Sequence, residues 1–181
     1  MNNFQLLAQG VDVAPLYNAV MRNPQLWDEY TLRTAHPDTA HAEVSDIWLR
    51  FNVVGADTMS VVDDTEAVNY PAWWVLPQAR PLIFALMNRV EGERLGRVMI
   101  TKLPPGGRIT PHVDGGAPAS YYDRYHIVLN SAPGCIFRAG DEQVHMATGE
   151  VWWFDNELEH EVINNSADHR VHMIVDVRTS R

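Results

Sequence analysis

A single cysteine, Cys135, stands in a chain of 181 residues. That excludes an internal disulfide framework and any zinc cluster built on thiolates. Positive charge is scarce as well, with 14 Lys and Arg against 23 Asp and Glu for a formal net charge of −9. A nucleic-acid or anionic-membrane surface needs clustered Lys and Arg, so neither partner is expected. No apolar run approaches the roughly 20 residues that cross a bilayer; the densest, 83–87 and 151–154, are short. Residues 1–10 carry neither a basic n-region nor a long apolar h-region, and the expected location is the cytoplasm. Repeats and low-complexity linkers are missing too. With 46% hydrophobic and 20% charged residues, the chain can bury one ordinary core, so a single domain over 1–181 is expected.

What is present divides near residue 95. In the N-terminal portion, 1–95, Leu16, Val20, Met21 and Leu26 recur at near-helical spacing within 13–30. They predict an amphipathic helix broken near Asn23-Pro24. A second helix is predicted over 77–91, with Pro81 near its start and Leu82, Ala85, Leu86 and Val90 on an apolar face. The polar stretch 33–43 reads as a surface loop, and 46–54 as a strand. In 96–178 the pattern becomes short strands: 97–103, 124–130, 135–138, 143–146, 150–154, 159–163 and 171–177. Pro104-Pro105-Gly106-Gly107, Ala132-Pro133-Gly134, Gly140-Asp141 and Thr148-Gly149 punctuate them. The expectation is a mainly β fold, a cupin-like jelly roll (double-stranded β-helix) with N-terminal helices packed on it.

With thiolates excluded, metal ligands must come from the eight histidines and the carboxylates. His112 and Asp114 lie two apart in Thr110-Pro111-His112-Val113-Asp114, so in an extended segment both project to one face. His160 lies in a later strand. Two imidazoles and one carboxylate make a facial triad that leaves positions open on Fe(II). A hydrogen-bonded turn pair after a proline, with an ordinary sheet histidine, accounts for the same spacing. Arg170 enters the apolar strand 171–177, where an arginine is costly unless it meets an anion, and its planar fork suits a carboxylate. Arg124 and His126 share a strand face. Two cationic positions beside one metal suit a chelating dicarboxylate such as 2-oxoglutarate; pairing with the chain's own acids is the other reading of each arginine. Arg50, Tyr121, Tyr122 and Trp74 are candidate substrate contacts. His36, His41, His145, His169 and His172 read as ordinary surface or strand residues, and Cys135 as a small buried one.

A longer series of residues runs from Met99 to Val177: Pro105-Gly106, Pro111-His112, Arg124-Tyr125-His126, Gly134-Cys135, Gly149-Glu150, Phe154-Asp155, Glu159-His160-Glu161-Val162, Arg170 and Ile174-Val175-Asp176-Val177. In this series the chain resembles the aspartyl/asparaginyl β-hydroxylase family of Fe(II)/2-oxoglutarate dioxygenases. The resemblance implies iron held by His112 and His160, and one carboxylate of 2-oxoglutarate held by Arg170 with Thr101. It further implies that Arg124 and His126 help to hold the cosubstrate, that O₂ is consumed, and that an unactivated C–H of an amino acid is hydroxylated. The substrate would be free, or part of a peptide or small natural-product precursor. Peptidyl hydroxylases of the family carry glycine where this chain has Asp114, which restores a two-histidine, one-carboxylate set, as in small bacterial enzymes acting on free amino acids. A cupin-like metalloenzyme without 2-oxoglutarate has no need of the two arginines, and a non-catalytic jelly-roll binding module has no need of His112, Asp114 and His160 together.

Overall fold

In the computed structural model, which describes residues 1–55 and 63–180, the described residues form eleven strands. They are Phe4–Ala8 (β1), Ser45–Phe51 (β2), Val68–Asn69 (β3), Gly92–Leu103 (β4), Arg108–His112 (β5), Asp123–Asn130 (β6), Cys135–Ala139 (β7), Glu142–Val144 (β8), Val151–Phe154 (β9), His160–Asn164 (β10) and Arg170–Thr179 (β11). One sheet runs β1-β9-β6-β11-β4-β2-β3 and a smaller one β5-β10-β7-β8. Pairing is antiparallel throughout. The architecture is the expected mainly β jelly roll.

Alternation along the central strands sorts the side chains. In β11, Val171, Met173, Val175 and Val177 join the core under the helices, while Arg170 and Ile174 face the space between the sheets. Period two explains this, because successive side chains leave opposite faces of a strand. The same rule sends Val98 and Ile100 of β4, and Ile127 and Leu129 of β6, outward. It turns Thr101, Arg124 and His126 inward. Helices Ala14–Met21 and Ala79–Arg89 cover the outer face with Leu16, Val20, Ile83 and Leu86. Each such fully buried side chain is worth about 1.5–3 kcal/mol. Between the sheets, Phe4, Val128, Phe137, Trp152, Phe154 and Val162 form a second apolar layer beside the polar inward residues.

The helix within 13–30 breaks where expected, near Asn23-Pro24: it ends at Met21 and a separate 3-10 turn, Pro24–Leu26, follows, because Pro24 lacks the N–H that a continuing helix needs. Strand β5 holds Pro111, which a central strand rejects; the smaller sheet accommodates it by placing β5 at its edge. The stretch 33–43 is more than a surface loop. Arg33 reaches inward to both oxygens of buried Asp46, at 2.8 and 2.7 Å. The Ala40 carbonyl accepts the Thr110 N–H of β5 at 3.1 Å, so the segment is strapped along the strand that carries His112. Its inward contacts are polar, and composition therefore read it as exposed. Among the described residues, no helix is long and apolar enough to cross a membrane.

Candidate metal and cosubstrate site

The register of two strands brings the histidines together. Across β5 and β10, His160 pairs directly with His112, and their ring centroids lie 4.3 Å apart. The register then shifts between His160 and Val162, the kind of irregularity that re-aims side chains beside a site. Each ring is anchored through Nδ1: His112 to the Thr110 carbonyl at 2.8 Å, His160 to the Leu158 carbonyl at 2.9 Å. A carbonyl only accepts, so each Nδ1 carries a proton, and in the neutral ring Nε2 is then the atom with a free lone pair. The two Nε2 atoms stand 3.7 and 3.8 Å from the carboxylate oxygens of Asp114. The Nε2 of His112 is buried with no hydrogen-bond partner among the described residues. One ligand atom from each of the three residues falls within 4.8 Å of the others. Two imidazole nitrogens and a carboxylate are donors that suit Fe(II), and a cation held there would give the orphaned Nε2 a partner.

Charge is arranged to keep this set ready. Burial alone would push the Asp114 carboxyl up, but the Arg124 guanidinium foremost, then His160, His112 and Arg33, outweigh it and lower its pKa. Arg124 donates from Nη1 to Asp114 Oδ2 at 2.6 Å, and from Nε and Nη2 to the two oxygens of buried Asp176 at 2.8 and 3.0 Å. Burial works against the arginine's charge, yet Asp114 and Asp176 raise its pKa. His160 shifts down, because burial outweighs its attraction to Asp114. Asp114 and His160 are thus poised as ligands rather than as proton donors.

Behind the triad lies a narrow inner space of about 30 Å³, lined also by Thr101, Arg124, His126 and Arg170. Arg170 is 3% exposed, and no carboxylate pairs with it among the described residues. Its Nη2 lies 3.1 Å from His172 Nδ1, and its guanidinium carbon 5.7 Å from the Phe137 ring centroid. Burial lowers its pKa to about 10, which still leaves it charged at neutral pH. Burial and Arg170 together hold both His126 and His172 well below the ordinary histidine range. In front of the triad opens an outer chamber of about 440 Å³ lined by His36, Thr39, Arg97 and Val113, with Arg33, His41, His112, Asp114 and Arg124 shared between the two spaces.

All seven residues expected at the metal and cosubstrate positions line one cavity: His112, Asp114, His160, Thr101, Arg124, His126 and Arg170. The four expected substrate contacts do not line it. Arg50 is taken up by the carbonyls of Gly96 and Ala67, at 3.2 and 2.8 Å, and by Asn69. The Tyr122 hydroxyl donates to the Thr65 carbonyl at 2.8 Å, and Tyr121 lies under Arg178. Trp74 stays 66% exposed with Arg80 over its ring. Three residues escaped the sequence reading. His41 stands edge-on to His112, centroids 4.7 Å apart, where the two chambers meet. His172 and Asp176 are buried on the same face of β11 as Arg170, and counting by twos from Arg170 would have found both.

Comparison with known proteins bears on the family and the fold. Over 77 residues, 42% of the chain, it is 31% identical to L-proline cis-4-hydroxylase of Rhizobium meliloti (strain 1021), and the match spans only 28% of that relative. The fold is that of an oxidoreductase of the 2OG-Fe(II) oxygenase family from Burkholderia pseudomallei, with a TM-score of 0.61 at 14% identity, covering 98% of this chain and 84% of that one. A prolyl-4-hydroxylase from Pseudomonas putida superposes with a TM-score of 0.54 at 14% identity, covering 99% and 94%. The family match itself extends over residues 5–180. With nearly its whole length matched, this chain belongs to the aspartyl/asparaginyl β-hydroxylase family.

Proposed function

We propose that the chain is a non-haem Fe(II)/2-oxoglutarate-dependent oxygenase that hydroxylates an unactivated C–H of an amino acid, free or carried in a peptide or small natural-product precursor. The observation that carries the reading is Arg170, a buried cation without a carboxylate partner among the described residues, lining the same cavity as the His112, Asp114 and His160 cluster. Burying an unpaired charge costs several kcal/mol, and a dianionic cosubstrate offsets that cost.

His112, Asp114 and His160 would hold the iron. When bound, iron with 2-oxoglutarate and O₂ supplies the oxidising power to insert one oxygen atom into a C–H bond as the cosubstrate becomes succinate and CO₂. The protein's part is binding and orientation. Arg170 and the Thr101 hydroxyl would hold the cosubstrate's distal carboxylate. His126 packs beside them, edge-on to Phe137 and Phe154, and keeps that end of the cavity dry. Arg124, its donors engaged by Asp114 and Asp176, holds Asp114 ionised and turned toward the two histidines. The outer chamber takes the substrate, and His41 borders the place where its reacting carbon would come nearest the ligands. The resemblance to an L-proline cis-4-hydroxylase, together with Asp114 in the proposed ligand set, favours a small amino-acid substrate. A single buried cysteine, which stays reduced there, suits the cytoplasm.

The test is succinate release from 2-oxoglutarate by Fe(II)-loaded protein, screened over free amino acids beginning with L-proline and then over short peptides, with product mass read for one added oxygen atom. Substrate-dependent succinate and the mass increase are expected together. Folded, metal-loaded protein that releases no succinate with any of them would overturn the reading.

A further inference from the structure

The inner face of β11 carries a polar group that the reaction does not touch. His172 is fully buried and does not line the cavity. Its Nδ1 receives Arg170 Nη2 at 3.1 Å and faces His126 Nδ1, also at 3.1 Å. Across β11 and β4 it stands directly opposite Thr101. A guanidinium can only donate, so His172 Nδ1 must present its lone pair, and His126 Nδ1 must carry the proton that points at it. The remaining proton of His172 then sits on Nε2, which is buried with no partner among the described residues. A leucine would fill the site without that unsatisfied donor, so the histidine is favoured by what Nδ1 does.

We infer that His172 is a positioning residue: by fixing the guanidinium of Arg170 beside Thr101, it makes the inner space selective for a 2-oxo acid that carries a second carboxylate. The inference rests on the 2-oxoglutarate reading and deepens it. A cation on a long, flexible side chain binds an anion well only if its donors are already aimed, since otherwise ordering it uses up the interaction. The Phe137 ring, 5.7 Å from the guanidinium carbon, offers Arg170 its face but no hydrogen-bond acceptor. Among the described residues the imidazole is the one hydrogen-bond acceptor against it, and acts on cosubstrate only through it.

The experiment titrates 2-oxoglutarate, and separately 2-oxobutyrate, which lacks the distal carboxylate, into Mn(II)-loaded protein calorimetrically. Wild type, His172→Leu and His172→Asn are compared. The asparagine keeps an acceptor oxygen close to where Nδ1 stood. Wild type should prefer 2-oxoglutarate, His172→Leu should lose about tenfold of that preference, and His172→Asn should keep it within about threefold. Affinity for 2-oxobutyrate should be equal in all three. If His172→Leu retains the full preference, or loses affinity for both acids alike, the positioning role falls. No preference in wild type would instead remove the cosubstrate reading on which the inference stands. A second measurement needs no variant: ¹⁵N spectra of histidine-labelled wild type should show His172 neutral with its proton on Nε2, and a proton on Nδ1 overturns the proposal.

Discussion

Arg124 bridges two carboxylates, donating to Asp114 at 2.6 Å and to Asp176 at 2.8 and 3.0 Å. One of these is in the candidate ligand set and the other is buried behind it. The arginine thereby ties the ionisation and aim of Asp114 to a residue that does not itself line the cavity.

Asp176→Asn should therefore weaken metal binding, although Asp176 is not a ligand. Outer partners of ligands typically matter by about 10–100-fold in affinity, and a loss in that range is expected in a Mn(II) titration. Arg124→Ala should do more. It leaves buried Asp176 uncompensated and should cost on the order of 3–5 kcal/mol of stability in chemical denaturation. Wild-type metal affinity in Asp176→Asn would show that Asp114 is aimed by other means.

Metal and stability should be linked. An ion that binds only the folded chain adds about 2.7 kcal/mol at a hundredfold excess over its Kd. Mn(II) should raise the melting temperature, and a chelator should reverse the rise. His160→Ala, which removes one of three donors, should melt at the same temperature with and without the ion. A persistent metal-dependent shift in that variant would place the ion elsewhere.

Arg170 should act in opposite directions on binding and on folding. Arg170→Leu should lose 2-oxoglutarate affinity by an amount on the order of 1.5–3 kcal/mol, the worth of a charge-assisted contact. Without cosubstrate, the same variant should be no less stable than wild type, because it removes a buried cation that no carboxylate balances. A large loss of stability in the ligand-free variant would mean that Arg170 is held for the fold.

Acid should weaken the fold before the carboxylates titrate. Burial, with Arg170 next, holds His126 and His172 well below the ordinary histidine value of about 6.5, so they stay neutral in the folded chain. The unfolded chain takes up their protons below about pH 6.5, and stability then falls by up to about 1.4 kcal/mol per pH unit for each. Asp114 has its pKa lowered from 3.8, so its contribution is intact above that value and is lost only at lower pH. Between pH 6.5 and 5 the decline should thus belong to histidines, and His172→Asn should reduce its slope. Denaturant titrations of metal-free protein at pH 7.5, 6.5 and 5.5 measure it, and a flat profile would contradict the buried neutral pair.

The sequence disclosed most where period two applies. Arg170, Arg124 and His126 could be placed on inward faces because apolar residues alternate with them along β11 and β6. Their partners were less visible. Asp176 and His172 share the Arg170 face, yet each taken singly resembles an ordinary strand residue. His41 and Arg33 gave no signal, since what turns them inward is a long-range pairing of Arg33 with Asp46 and of Ala40 with Thr110. Arg50 misled for a related reason: an arginine inside an apolar strand suggested an outside anion, and backbone carbonyls satisfy it instead. The direct opposition of His112 and His160 depends on strand register, which neither motif states by itself.

That register has a mechanical side. Strand β5 is the rim of the smaller sheet and holds Pro111, so its hold on β10 is short and interrupted. An ion gripped by His112 from one strand and His160 from the other would serve as a rivet through this weak seam. Metal-free protein should then fray first along 108–112, baring a strand edge on which a second molecule can template, so that self-association would accompany loss of the proposed ion.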